Sequence, residues 1–289
     1  MFLTTVLLAA ACSDANPRRS AGRHRDRSAD NAVVEEDQPR QEPRNGSVSQ
    51  PRSAPPGFLL ASSFEQPICG FWWRPRPGCE FGAQGVDTTT TAELSRTGES
   101  SLRIQRMTPS HQGVIADVPL PDGHGFIGVA SRVPEIPAGA IPSFGRRAGN
   151  VQLLQLSPTD GVVPGMPVEV RLFDDRRLGL GLFKDKTTTV MSDWSIPVDE
   201  WFYIVVEVNN GVGAPQRMLL YDSSDRLVDR VVAHFDTRQV WAHQGRSAHK
   251  VGGNTSTSVP MYTYHDDWYV ATELKGPVRI TRSGAVLDG

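Results

Sequence analysis

Tyr264-His265-Asp266-Asp267-Trp268-Tyr269-Val270 is a strand-like segment near the end of this 289-residue chain. Its counterpart near the start of the apolar region is Ser63-Phe64-Glu65, and Trp201–Val208 lies between them as the run Trp-Phe-Tyr-Ile-Val-Val-Glu-Val. Short runs of β-branched and aromatic residues, bounded by Gly, Pro, Asn and Asp, are typical of strands and turns. From residue 58 onward the pattern predicts an all-β domain, because no window shows a helical period.

Two further patterns predict how the strands are arranged. Val168–Leu172 and Val205–Asn209 mix alternation with continuous apolar stretches, as two packed sheets require. Residues 217–228 place a polar turn between two apolar runs, which indicates a hairpin. The predicted strands are 58–64, 101–107, 113–119, 125–133, 150–157, 167–173, 177–183, 201–209, 216–222, 226–234, 259–264 and 266–273.

The order of these motifs resembles the concanavalin A-like lectin/glucanase jelly rolls. The resemblance is carried by Ser63-Phe64-Glu65, Thr97–Ile104, Asp199–Val208 and Tyr264–Val270. It implies a two-sheet antiparallel jelly-roll sandwich in which an early Phe-Glu strand lies beside a late Asp-Asp strand. It also implies a protein that binds or cleaves polysaccharides, without deciding between the two.

Composition divides the chain into regions. A net charge of −2 gives no reason to expect nucleic-acid binding or general membrane adsorption. Residues 13–57 are rich in Arg, Ser, Pro and acidic residues and poor in large apolar ones, which predicts a disordered linker. The jelly-roll domain is expected over residues 58–275 and a C-terminal strand or tail over 276–289. We expect a monomer.

The N-terminus resembles a bacterial lipoprotein signal. Residues 1–11 are apolar and end in three alanines before Cys12, which the resemblance makes the lipidated residue of the mature protein. This places the chain outside the cytoplasm, anchored in the bacterial cell envelope or secreted. Ordinary secretion and an apolar start without targeting meaning are the alternatives.

Cys69 and Cys79 close a short segment of an exported chain, which predicts a disulfide. Two unrelated buried thiols are the alternative. The same loop carries Trp72, Trp73, Arg74 and Arg76, and these side chains could bind sugar by stacking and by pairing with an acidic group. The alternative is that one Trp fills the end of the sandwich while the arginines are solvated. Trp241, beside a polar and basic loop, is a further candidate for ligand contact.

Glu65, Asp266 and Asp267 are candidate ligands of a structural Ca²⁺. In the resembled families the first and last long strands are neighbours, and carboxylates there often hold this ion, which takes oxygen ligands. The alternative is that Glu65 caps a strand end while one aspartate turns into solvent.

Gln155 lies on a strand that resembles the Gln-x-His strand of alginate-lyase-like jelly rolls. Ser157 stands at the position of the histidine, and serine cannot replace that base. An elimination reaction would then use Gln155 and Arg171 against the substrate carboxylate and Tyr262 or Tyr264 as the base. No Glu-x-Asp-x-x-Glu strand of a two-carboxylate glucanase occurs.

These observations favour a lectin-like protein that binds an extended polysaccharide through Arg171, Gln155, Tyr264 and the aromatic and basic loops. The arginines make an acidic polysaccharide a candidate ligand. A polysaccharide lyase with a tyrosine base is the alternative function, and a purely structural surface protein is a third. Whether the chain is an enzyme stays open.

Overall fold

The computed structural model describes residues 54–71, 74–75, 81–84, 88–106, 110–118, 120, 123–141, 151–158, 168–182, 185–237, 247–255, 257 and 259–288. The predicted lipidation at Cys12 and the predicted linker up to residue 53 lie outside these ranges. Within them, no helix is long and apolar enough to cross a bilayer.

Sheet A runs in the order β15-β14-β13-β8-β17-β6-β5, and β1 pairs with β17 beside this path. Its strands are β1 (Phe58–Ser62), β5 (Thr88–Thr91), β6 (Ser101–Arg106), β8 (His124–Arg132), β13 (Trp201–Asn209), β14 (Ala214–Tyr221), β15 (Leu227–Phe235) and β17 (Met261–Ala271). The early Phe-Glu region and the late Asp-Asp strand are therefore neighbours, as predicted.

Sheet B runs in the order β12-β11-β10-β9-β16-β7-β4-β2-β3. Its strands are β2 (Ile68–Phe71), β3 (Arg74–Pro75), β4 (Phe81–Gln84), β7 (Ser110–Asp117), β9 (Val151–Pro158), β10 (Val168–Leu172), β11 (Arg177–Leu182), β12 (Asp185–Ser195) and β16 (Ser247–Thr255). The pairing is antiparallel apart from β2 with β4. The predicted two-sheet, all-β sandwich is confirmed.

The core lies between the two sheets and follows the alternation of their strands. Phe202, Ile204 and Val206 of β13 face Val168 and other apolar side chains of sheet B in one buried cluster. An aromatic group closes one part of it: Trp268 of β17 stacks on Phe64 with ring centroids 6.0 Å apart, and Phe81 of β4 lies 5.1 Å away.

A second apolar cluster lies on the outer face of sheet A. The C-terminal hairpin of β18 (Val278–Ile280) and β19 (Val286–Asp288) packs there against Tyr203, Tyr269 and their neighbours. The residues predicted as a C-terminal strand or tail thus cover the middle of this face.

A network of ion pairs stabilises the contact between the C-terminal hairpin and sheet A. The Arg96 guanidinium lies 2.7 Å from Asp267 Oδ2 and 2.5 Å from Asp225 Oδ1, and it also donates to the Val278 carbonyl. Asp267 Oδ1 accepts from the Ile280 backbone N–H. One buried carboxylate therefore joins the loop before β6, strand β17 and the C-terminal hairpin.

Candidate functional site

Four polar side chains lie together on the face of sheet B that points away from the core: Gln152, Gln155, Glu169 and Arg171. We call them the Glu169 cluster. On β10 the alternation sends Val168, Val170 and Leu172 into the core and Glu169 and Arg171 to the opposite face.

A β-bulge puts both glutamines on that face. Residues three apart on a regular strand point to opposite sides, but Gln155 pairs with Glu169 and Gln152 pairs with Arg171. The register shifts between these pairs because β9 carries one extra residue there. This bulge brings two amides to one carboxylate.

The Glu169 carboxylate is the centre of the hydrogen bonding. Gln152 Nε2 and Gln155 Nε2 donate to Oε1 at 2.6 and 3.0 Å, and Arg171 Nε donates to Oε2 at 2.7 Å. Arg171 Nη2 also donates to the Leu182 carbonyl. Burial raises the pKa of Glu169, and the charge and hydrogen bonds of Arg171 oppose that rise. The Arg171 charge is thus already paired within the protein.

One atom of the cluster has no partner. Gln155 Oε1 is buried and accepts no hydrogen bond from the described residues, although its amide nitrogen is engaged. A buried polar atom left unpaired costs on the order of 1–3 kcal/mol, so this acceptor is a position for an outside donor, either a water or a ligand hydroxyl.

A second unpaired polar atom lies on the same face of sheet B. Gly181 pairs with Glu169, and a Cβ added to Gly181 would meet Thr189 Oγ1 at 2.5 Å. This places the Thr189 hydroxyl over β11, and it too is buried without a partner. On the other side, Lys250 of β16 pairs with Gln155, and the structure describes its backbone only.

The two tyrosines lie on the opposite side of the sandwich. Tyr264 pairs with Arg103 and Arg132, whose strands turn Leu102, Ile104 and Ser131 inward, so Tyr264 and Tyr262 belong to the outer face of sheet A. Tyr262 is 40% exposed under the Arg103 guanidinium. Burial and the neighbouring Glu93 carboxylate raise the pKa of Tyr264, which disfavours the phenolate that a base requires.

The arrangement predicted for elimination is therefore wrong. Gln155 and Arg171 lie together, but the whole core separates them from Tyr262 and Tyr264. A strand's alternation shows which residues share a face, but not to which sheet that strand belongs.

The three candidate calcium ligands accept hydrogen bonds from N–H groups of the protein. Glu65 Oε1 accepts from the Glu99 and Ser100 N–H groups. Asp266 Oδ2 accepts from the Arg96 and Thr97 N–H groups.

In the described part of the chain, no three His, Cys, Asp or Glu side chains are placed to share a metal ion. Asp267 already faces the Arg96 cation, so this geometry does not fit the predicted Ca²⁺ held by Glu65, Asp266 and Asp267.

Several predicted residues lie outside the description. Trp72, Trp73, Arg76, Cys79 and Trp241 are not among the described residues, and Cys69 and Arg74 are described only as backbone of β2 and β3. The Cys69–Cys79 disulfide and the loop platform stay predictions.

Glu169 and Gln152 are site residues that the sequence reasoning missed. The alternation Val-Glu-Val-Arg-Leu on β10 was a usable signal, because a carboxylate between core valines and next to Arg171 must lie on the same face as that arginine. Gln152 was missed because a regular strand would put it on the face opposite Gln155; the adjacent Leu153 and Leu154, both in the core, were the signal of the bulge.

A separate polar network lies inside the core. His265 Nδ1 lies 3.0 Å from Ser131 Oγ, and His265 Nε2 lies 3.0 Å from Thr263 Oγ1, which also accepts from Arg106 Nε. Burial, and next the Arg106 charge, hold the pKa of His265 well below its usual range. The histidine is therefore neutral in the folded protein.

We expect His265 to make the folded state acid-sensitive. Below about pH 6.5 the unfolded chain binds a proton at His265 that the folded chain refuses, so stability falls with pH by up to about 1.4 kcal/mol per unit. His265→Gln should remove this slope in urea unfolding measured between pH 7 and 5, whereas the exposed His234→Gln keeps it. An unchanged slope in His265→Gln would contradict the assignment.

Comparisons with known proteins give matches among solved structures alone. No protein-family model and no curated protein matches the chain. Similar solved structures include the lectin UEA-II complexed with galactose (12% identity, 74% of this chain and 98% of that chain, TM-score 0.49). Another is the endo-β-1,4-glucuronan lyase of Trichoderma reesei, with 14% identity, 75% of this chain and 96% of that chain covered, and a TM-score of 0.45. A third is an alginate lyase of Aplysia kurodai, with 12% identity, 75% of this chain and 99% of that chain covered, and a TM-score of 0.46. By their names these similar structures are a lectin and two lyases, and they do not select between binding and cleavage.

Proposed function

We propose that this chain binds an extended polysaccharide on the outer face of sheet B, with the Glu169 cluster as the centre of the site. The observation that carries the proposal is the unpaired Gln155 Oε1 in a cluster whose other described hydrogen bonds are made. A polysaccharide offers closely spaced hydroxyl donors, and a ligand that pairs this oxygen removes the cost of leaving it unpaired.

The opposite face is a poorer candidate. The hairpin of β18 and β19 covers the middle of sheet A and buries Tyr203 and Tyr269 beneath it. On the outer face of sheet B, by contrast, two buried polar atoms, Gln155 Oε1 and Thr189 Oγ1, lack partners among the described residues. Binding is favoured over elimination because the two groups of residues that elimination needs lie on different sheets. Gln155 and Arg171, which would neutralise a carboxylate, lie on sheet B, whereas the tyrosines that would abstract a proton lie on sheet A.

The binding test uses a single glutamine. Gln155→Leu removes the acceptor, while Glu169 keeps its bonds from Gln152 and Arg171, so the fold is retained. Affinity for the polysaccharide selected from a panel should fall about three- to tenfold, the value of one neutral hydrogen bond. Affinity electrophoresis or calorimetry measures it.

The matched control is Gln105→Leu, because Gln105 pairs with Tyr262 on the outer face of sheet A. It should bind like the unaltered protein. Equal losses in the two variants would place the ligand elsewhere, and steady release of unsaturated uronate ends would favour the lyase.

Export and anchoring belong to the same proposal. A lipidated Cys12 followed by the charged, proline-rich residues 13–57 would hold the domain away from a membrane, in the cell envelope. The intact mass of the protein from the membrane fraction, read without reduction, tests both the lipid on Cys12 and the Cys69–Cys79 disulfide.

A further inference from the structure

The Glu169 cluster has no net charge. Its one carboxylate, Glu169, and its one guanidinium, Arg171, lie 2.7 Å apart, and both are almost completely buried. Arg171 is also tied to the Leu182 carbonyl. If Arg171 turned towards a ligand carboxylate, Glu169 would be left buried without its cation, which is strongly unfavourable.

The orientation of the Gln155 amide is fixed by chemistry. Its nitrogen donates to Glu169 Oε1 at 3.0 Å, and a flipped amide would set two acceptor oxygens against each other. The outward atom is therefore the oxygen, which accepts from a hydroxyl but repels an ionised carboxylate. The unpaired Thr189 hydroxyl on the same face is also neutral.

From these contacts we infer, given the proposed polysaccharide site, that it takes a neutral sugar whose hydroxyl donates to Gln155 Oε1 and that it discriminates against a uronate at that position. A uronate would bring a carboxylate towards the Gln155 oxygen and the Glu169 carboxylate, while the nearest described cation is already paired. Like-charge contact of this kind lowers affinity rather than raising it.

The test compares oligosaccharides that differ only by oxidation at C6. Three pairs are used, each with a neutral and a uronate oligosaccharide of equal length. They are gluco- and glucurono-, manno- and mannurono-, and galacto- and galacturono-oligosaccharides. The tightest ligand should be a neutral member, and its uronate counterpart should bind at least about tenfold more weakly. Its affinity should also change little between low and high NaCl, since a neutral ligand is not screened.

Two variants connect the discrimination to the site. Gln155→Leu should weaken binding of the neutral sugar and, because the repelling oxygen is gone, slightly strengthen binding of the uronate, so the difference in affinity between the two narrows. Gln105→Leu should keep that difference. Lys250→Met tests Lys250, the cationic residue of β16 that pairs with Gln155 of β9. This variant should keep the preference for the neutral sugar over the uronate.

A uronate that binds more tightly than its neutral counterpart, and that loses affinity in Gln155→Leu or Lys250→Met, would overturn the neutral-sugar inference and leave the binding site in place. If none of the six sugars nor any polymer of the panel bound, the proposed function itself would be overturned.

Discussion

Asp267→Asn should lower the free energy of unfolding by about 3 kcal/mol, because it leaves a buried cation without its main counterion. Arg96 has a side chain only 10% exposed, and Asp267 is completely buried. Asp225, at 16% exposure, remains as its second anion. Asp267 has a left-handed backbone with φ of 48°, which asparagine tolerates as aspartate does. The amide keeps one acceptor oxygen, but its NH2 replaces an oxygen that accepts either from Ile280 N–H or from Arg96 and Thr97, so the loss includes that hydrogen bonding as well as the charge.

Urea unfolding of Asp267→Asn, Arg96→Met and the double variant measures this coupling. The double variant should be less destabilised than the sum of the single ones, since no buried charge is then left alone. The control is Glu99→Gln, whose ion pair with Arg282 is more than 70% exposed on both sides and should contribute less than about 1 kcal/mol. Additive losses would show that the pair is not coupled.

Trp268→Ala should cost about 3–5 kcal/mol, the usual loss for a large aromatic side chain removed from a core. Trp268 is completely buried between Phe64 and Phe81, and these three rings join β17 of sheet A to β4 of sheet B. Its removal leaves a cavity at the place where the two sheets meet.

Trp268→Phe should cost much less than Trp268→Ala. It keeps an aromatic ring against Phe64, and it removes an indole N–H that has no hydrogen-bond partner. Leu287→Ala is the exposed control, with a side chain 51% exposed and an expected change within about 0.5 kcal/mol. Equal losses for the Phe and Ala variants would mean that indole shape, rather than ring stacking, decides the packing.

The sequence predicted most of the long apolar strands but divided one of them. Residues 259–264 and 266–273 were predicted as two strands, yet β17 runs without interruption from Met261 to Ala271. A single polar residue, His265, separated the two predicted strands. His265 and Asp266 lie within β17 because each finds protein partners, which a sequence does not show.

Five strands of sheet B were missed: β2, β3, β4, β12 and β16. The two longest of them, β16 and β12, show why. β16 contains a Gly-Gly pair and few apolar side chains, and β12 begins with charged and threonine residues. Neither has the apolar pattern on which the prediction depended. β16 nevertheless lies in the middle of the sheet, where pairing with β9 on one side and β7 on the other holds it.

The candidate site was predicted in part. Gln155 and Arg171 were identified from the sequence, and the structure places both on one face of sheet B. Each is flanked on its strand by apolar residues, so the alternation showed that its side chain points away from the core. Their partner Glu169 was overlooked, and Tyr262 and Tyr264 were assigned to the same site although they lie in the other sheet. Assigning strands to sheets depends on long-range pairing, which alternation within a single strand cannot reveal.

The bulge in β9 makes the site depend on the register of that strand as well as on the identity of its residues. If Leu153 took the regular place opposite Arg171, Gln152 would turn into the apolar core and Val151 would turn outward. Glu169 would then lose one of its two amide donors. Deletion of Leu153 would instead remove the bulge: Gln152 and Gln155 would stay on the outer face and Val151, Leu154 and Leu156 in the core, which would lose one leucine.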